Sequence, residues 1–160
     1  MPLIRIIGVG NPLRGDDGVG CACVAHLAGR PLPPGVEAVD AGAGGLALLH
    51  LLDDAAGVVV VDAAQMGLAP GTIRRFSGED LVGEAAAPCL GFHGWGVADT
   101  LALARELGRL PPVVLLLVQA ARHDLGAGLT AAVAGALEEV CARAVSEALR
   151  LAQRVGPPRG

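Results

Sequence analysis

The chain of 160 residues has no lysine and no tyrosine, and all twelve of its basic residues are arginine. These arginines are scattered, with only Arg74 and Arg75 adjacent, and the formal net charge is −4. No basic stripe exists to track phosphates, which excludes a nucleic-acid-binding role. Serine is scarce as well: Ser77 and Ser146 are the only two, and neither sits in a G-x-S-x-G elbow. No H-E-x-x-H segment is present. The four cysteines, Cys21, Cys23, Cys89 and Cys141, form no C-x-x-C pair, which argues against a thiolate zinc site. Cys21 and Cys23 lie two apart, so a helix would turn them to different faces. The cysteines read as reduced core residues of a cytosolic protein. Cys89 is the one candidate nucleophile outside an expected helix, and it would need a nearby base to act as one. Long apolar runs are also missing; the longest is Val113 to Val118, far short of the roughly 20 residues that span a bilayer. The opening MPLIRIIGVGNP lacks the layout of a secretory signal, so a cytoplasmic location is expected.

What the chain does have is apolar segments alternating with helical patterns, which predicts βαβ units. Leu3 to Val9 reads as a first strand, Gly10 to Gly15 as a turn-rich loop and Asp17 to Leu27 as a helix. Val36 to Val39 reads as a second strand and Leu46 to Leu52 as a second helix. Val58 to Val61 is apolar throughout, as suits a strand buried on both faces. Arginines interrupt Gly71 to Phe76, which marks an outer strand. A helix over Gly94 to Leu107, a buried strand over Val113 to Val118 and a long helix over Thr130 to Gln153 complete the pattern. The expected fold is α/β: a three-layer sandwich of about five mostly parallel strands with helices on both faces. One domain over residues 1–155 and a flexible tail at 156–160 are expected. Such sheets hold ligands beyond the carboxyl ends of their strands.

Four segments fall at those places. The first, Gly8 to Gly18, leaves a strand through glycines and delivers Asp16 and Asp17 to a helix start. One acidic residue suffices as an N-cap; Asp16 suits that role, which leaves Asp17 for chemistry. Asp62 directly follows the valine run, where a carboxylate is costly unless paired, hydrogen-bonded or metal-bound. His93 precedes a helix within the glycine-rich GFHGWG. Asp40 opens DAGAGG after the second strand and suits orienting a ligand or capping the next helix. Two carboxylates and one imidazole, from Asp17, Asp62 and His93, suit a borderline divalent metal such as nickel or zinc. Three protein ligands leave positions open for water or substrate, and without thiolates they bind weakly in the free enzyme.

The segments GVGNPLRGDDGVG, DAGAGGLALL, VVVVDAA, FHGWGVADTL and GLTAAV, in this order and spacing, resemble the hydrogenase maturation protease family. These are nickel-dependent endopeptidases that process the large subunit of nickel-iron hydrogenases. The resemblance implies that Asp17, Asp62 and His93 are both the metal ligands and the catalytic residues. It implies one cut near the C-terminus of a nickel-loaded large-subunit precursor, with the nickel supplied by that precursor. No membrane and no nucleic acid are expected as partners, and a monomer is expected because no heptad or large exposed apolar segment demands a dimer. The pattern departs from the family after Val118: Gln119 is followed by Ala120, Ala121, Arg122 and His123 where proline is common. His123 reads as a solvated loop residue.

Two rival readings compete. A non-catalytic nickel-binding maturation factor would keep the three ligands and cleave nothing. A dinucleotide-binding oxidoreductase would use the first glycine loop and Asp40. Its third glycine, however, would fall at Leu13, and Asp16 and Asp17 would repel a pyrophosphate. A P-loop fails similarly, since Asp16 stands where lysine belongs.

Overall fold

The computed structural model describes residues 1–80, 96–122 and 124–156. Its described elements run β1 (Ile4–Gly8), a 3-10 turn (Gly15–Gly18), α1 (Val19–Ala28), β2 (Val36–Asp40), α2 (Leu46–Leu52), β3 (Gly57–Ala64), β4 (Ile73–Ser77), α3 (Val97–Glu106), β5 (Val113–Gln119) and α4 (Ala131–Val155). The sheet order is β2-β1-β3-β5-β4. β1, β2, β3 and β5 are parallel, and β4 joins the edge antiparallel to β5. The expected mostly parallel sheet with helices on both faces is what forms.

Strand alternation sorts the core into two layers. Val59, Val61 and Ala63 of β3 face α1 and α4, where Val19, Cys23, Leu27, Val133, Val140 and Leu151 meet them. Val58, Val60 and Ala64 face the opposite way, onto Leu48, Leu49 and Leu52 of α2 and Val97 and Leu101 of α3. All eight residues of β3 are buried, which explains its unbroken apolar run. Burying each such valine or leucine side chain contributes about 1.5–3 kcal/mol. The edge strand β4 instead leaves Arg74 and Arg75 exposed, and Arg75 Nε donates to the buried Glu147 carboxylate of α4 at 2.8 Å.

Three boundaries differ from the sequence expectation. The first helix begins with a 3-10 turn that holds Asp16 and Asp17, and the α-helix proper starts at Val19. β3 continues past the valines through Asp62 to Ala64, because Asp62, Ala63 and Ala64 pair with Leu117, Val118 and Gln119. Asp62 is therefore inside a strand rather than after one. α3 begins at Val97, after the Gly96 N–H donates to Asp99 Oδ2 at 2.9 Å. Residues 94 and 95, and tail positions 157–160, lie outside the described residues.

The neighbours β1 and β3 flank the point where the strand order reverses: the chain leaves β1 for β2 through α1 on one face and returns to β3 through α2 on the other. Their carboxyl ends therefore form the crevice of a doubly wound sheet. α3 runs back toward the start of β5, so its N-terminus lies at that same rim. α1 sits against the rim without spacing: a Cβ at Gly20 would come 2.4 Å from the Val61 carbonyl oxygen and 2.5 Å from that of Val9. Both obstacles are backbone atoms and cannot turn aside. Gly20→Ala is expected to lower stability by about 3 kcal/mol, read as the shift of the urea unfolding midpoint. A shift near zero would show that α1 has room to move.

Candidate functional site

Three chain segments knit together at the crevice. After β1, the Val9 N–H donates to the Val61 carbonyl at 3.0 Å, and the Gly10 N–H to the Gly42 carbonyl at 2.7 Å. Gly10 has φ +137°, and a Cβ there would lie 1.8 Å from the Asp17 carbonyl oxygen. Only glycine permits that return of the chain upon itself. The loop then pairs with the segment after β5: Gly15 N–H to Gly126 O at 2.8 Å, Gly126 N–H to Leu13 O at 2.9 Å, and Asp16 N–H to Arg122 O at 2.9 Å.

Asp16 locks this junction. Its side chain is fully buried. Oδ2 accepts the Ala121 N–H at 2.8 Å and the Arg122 N–H at 3.0 Å. Oδ1 accepts the Thr130 N–H at 2.7 Å, and the Thr130 hydroxyl reaches both oxygens at 3.0 and 2.9 Å. Burial alone would raise its pKa, but these hydrogen bonds prevail and hold it below the usual carboxylate value. The expectation that Asp16 caps the first helix is corrected. It accepts no cap bond from its own turn and instead anchors Thr130, the N-cap of α4, where the positive end of a 25-residue helix favours an anion.

With Asp16 occupied in this way, the next residue turns into the crevice. Asp17 is 1% exposed, and its Oδ2 accepts the Asn11 N–H at 2.9 Å. Asp62 is 4% exposed, and its Oδ1 accepts the N–H of Ala63 at 2.8 Å. Its pKa is well above the ordinary value: burial is the main cause, the Ala63 hydrogen bond opposes it, and the negative charge of Asp17 adds to it. The structure thus brings two of the expected site carboxylates, 45 positions apart in sequence, within electrostatic reach of each other. A buried like-charged pair is stable only if it shares a proton or neutralises itself with a cation. That requirement, together with oxygen donors, fits a divalent metal. His93 lies outside the described residues. Among the described residues no three His, Cys, Asp or Glu side chains group closely enough to hold a metal.

Asp40 neither caps α2, whose N-cap is Gly45, nor stands apart. Its Oδ1 accepts the Gly42 N–H at 2.7 Å, and its Oδ2 accepts the Cys21 thiol at 2.9 Å. That bond is the main cause, with burial second, of the Cys21 thiol being pushed up to about 11. Gln119, directly before the point where the sequence departs from the expected pattern, is 3% exposed and structural. Its Oε1 accepts the Met66 N–H at 2.7 Å, and its Nε2 donates to Gln65 and to the Ala120 carbonyl. It thereby shapes the segment after β3. Sequence reasoning missed these partners of Asp16 and Gln119. Thr130 carried a local signal as a helix N-cap, but nothing local tied it to a residue 114 positions away.

A hollow of about 180 Å³ beside the loop is lined by Pro12, Gly15, Gly18, Cys21, Ala22 and Leu129, among others. A larger cavity of about 750 Å³ lies at the opposite rim, near Pro112, Arg75, Arg105 and Arg154. It is remote from the carboxylate pair, so volume is a poor guide to the chemistry here.

Comparison with known proteins assigns the chain to a family. The family model described as "Hydrogenase maturation protease" matches residues 21–147, a span that includes Asp62 and His93 and begins just after Asp17. The hydrogenase expression/formation protein HupD of Rhodobacter capsulatus is 33% identical over 147 residues, covering 90% of this chain and 70% of the relative. HupM of Azotobacter chroococcum mcd 1 is 36% identical over 148 residues, covering 91% and 71%. The solved hydrogenase maturating endopeptidase HybD from E. coli superposes with a TM-score of 0.77 at 30% identity, covering 92% of each chain. A doubly wound sheet with buried carboxylates at its crevice is thus, in this case, the scaffold of a maturation endopeptidase. The chain belongs to the hydrogenase maturation protease family.

Two outcomes follow from the carboxylates. Asp16→Ala removes a buried carboxylate that three N–H groups share and is expected to cost about 3–5 kcal/mol, measured by urea unfolding. An unchanged midpoint would remove Asp16 from its anchoring role. Asp62 behaves with the opposite sign. Its folded pKa lies above the unfolded value, so the folded state holds the proton more tightly. Stability falls as pH rises from about 4 through the folded pKa. Asp62→Asn is therefore expected to melt at a higher temperature than the parent at pH 8, with the difference shrinking toward pH 4. Equal melting at both pH values would contradict the burial argument.

Proposed function

We propose that this chain is a metal-dependent endopeptidase that removes a C-terminal extension from the nickel-loaded large-subunit precursor of a nickel-iron hydrogenase. The observation that carries the reading is the buried Asp17–Asp62 pair at the sheet crevice, whose repulsion a cation relieves. Nickel enters as part of the substrate. Asp17, Asp62 and His93 are its proposed ligands and the catalytic residues; two oxygens and one imidazole nitrogen suit a borderline ion.

Each described residue has a part that needs no further group. The Asn11 N–H orients the Asp17 carboxylate, and the Ala63 N–H orients that of Asp62. Asp62, whose proton is held by burial and by the Asp17 charge, gives that proton up as the cation arrives. When bound, the metal supplies polarisation of a peptide carbonyl and a lowered pKa for water. Because two carboxylates and one imidazole bind weakly alone, a precursor lacking nickel is a poor substrate, which enforces the order of assembly. The large-subunit precursor is the proposed partner, and the chain acts as a cytoplasmic monomer. Among the described residues no helix is long and apolar enough to cross a membrane.

The test is incubation of the full chain with nickel-loaded precursor, read as mass loss. Asp17→Asn, Asp62→Asn and His93→Ala are each expected to stay folded and to leave the precursor uncut. Full-rate cleavage by any one of them removes that residue from the site. Equal cleavage of a nickel-free precursor would overturn the substrate-borne metal. A parent protein that binds the loaded precursor yet never cuts it would favour the non-catalytic maturation factor.

A further inference from the structure

The endopeptidase reading leaves unused a second pair of reactive side chains, on the other side of the sheet from Asp62. Cys23 of α1 and Cys141 of α4 are 0% and 2% exposed, and their sulfurs lie 3.2 Å apart in the core. They are 118 positions apart in sequence. Core cysteines ordinarily pack as small apolar groups against carbon. Here two thiols meet instead, at a distance from which a disulfide needs a further approach of about 1 Å. Among the described residues no third His, Cys, Asp or Glu joins them to make a metal site. We propose that Cys23 and Cys141 are a redox-active pair that closes to a disulfide, stapling α1 to α4 beneath the candidate site.

The environment suits one cysteine to begin the reaction. Cys141 is held below the usual thiol pKa, mainly by its hydrogen bond with Cys23 and further by the Arg30 charge, while burial opposes this. Cys23 is raised, first by its hydrogen bond with Cys141 and then by burial, so it remains the protonated partner. With hydrogen peroxide as oxidant, the Cys141 thiolate attacks one oxygen and the O–O bond breaks. Hydroxide leaves, takes up the proton that Cys141 had released and becomes water, and Cys141 becomes a sulfenic acid. Cys23 sulfur then attacks that sulfur, the S–O bond breaks, and the second water leaves with the Cys23 proton. Two thiols lose two electrons, and one peroxide gains them.

The consequence is structural. α1 follows directly from the turn carrying Asp16 and Asp17, and α4 starts at Thr130, which Asp16 binds. The new bond would close a loop already joined at its upper end by Asp16, restricting the unfolded chain over more than a hundred residues. Cys21 cannot substitute for Cys23. It lies on a different face of α1, and its thiol, held by Asp40, is raised to about 11.

The test uses the full chain carrying Cys89→Ser, so that three cysteines remain. It is treated with hydrogen peroxide, denatured and alkylated, and its peptides are mapped without reductant. The expected result is one alkylated cysteine, Cys21, and a linked pair of peptides containing Cys23 and Cys141. The thermal midpoint is expected to rise by at least about 5 °C and to revert with dithiothreitol. Cys141→Ser in the same background is expected to show two alkylated cysteines and no rise. Three alkylated cysteines after peroxide, a link through Cys21, or an unchanged midpoint in the linked protein would each overturn the proposal. The readouts are independent of precursor cleavage, so failure here and failure of the endopeptidase reading are separable.

Discussion

The arrangement of the crevice depends on one buried anion, the Asp16 carboxylate. Its acceptor positions are filled by three backbone N–H groups and one hydroxyl, all from the segment between β5 and α4. A buried carboxylate satisfied in this way is stable as the charged form. It therefore fixes the loop after β1 against the loop after β5 and against the head of α4. Asp17, the next residue, is then directed into the crevice where β3 delivers Asp62. Two adjacent aspartates in one short turn do opposite things: one is satisfied and structural, the other is set against a like charge.

That contrast gives the two sides of the turn opposite electrostatics. Asp16 is paired within the fold and keeps a low pKa, whereas burial and the Asp17 charge hold the Asp62 pKa well above the ordinary carboxylate value. Buried carboxylates at the carboxyl rim of a parallel sheet are costly to stability. The valine and leucine runs of β3 and β5, strands buried along their whole length, offset that cost. Asp62 lies within the paired part of β3 and Asp17 in the 3-10 turn next to the anchored Asp16, so both carboxylates are carried on regular structure.

The described cysteines lie on the two helices that adjoin the candidate site. α1 presents Cys21 toward Asp40 at the rim and Cys23 toward Cys141 in the core. The small residues that let α1 approach β1 and β3 are the reason those contacts are close. Gly20 brings the helix against the Val61 and Val9 carbonyls, and a side chain there would push every contact of α1 outward.

The sequence by itself determined the layers, the near-parallel sheet and the rim at which chemistry belongs. Apolar runs and helical periods are local signals, and the fully apolar valine segment could only be an interior strand. It also singled out Asp17, Asp62 and His93 as residues hard to explain by turns and caps alone. Only the tertiary structure decided which aspartate was structural. Asp16 and Asp17 have the same chemistry and adjacent positions, and their roles diverge because Thr130, Ala121 and Arg122 reach one of them from over a hundred residues away. The continuation of β3 through Asp62 likewise came from pairing with Leu117, since register between strands is set by packing across the sheet and not by propensity within one. The meeting of Cys23 with Cys141 had the same origin: a contact between helices distant in sequence is a property of how they pack, and no local pattern encodes it.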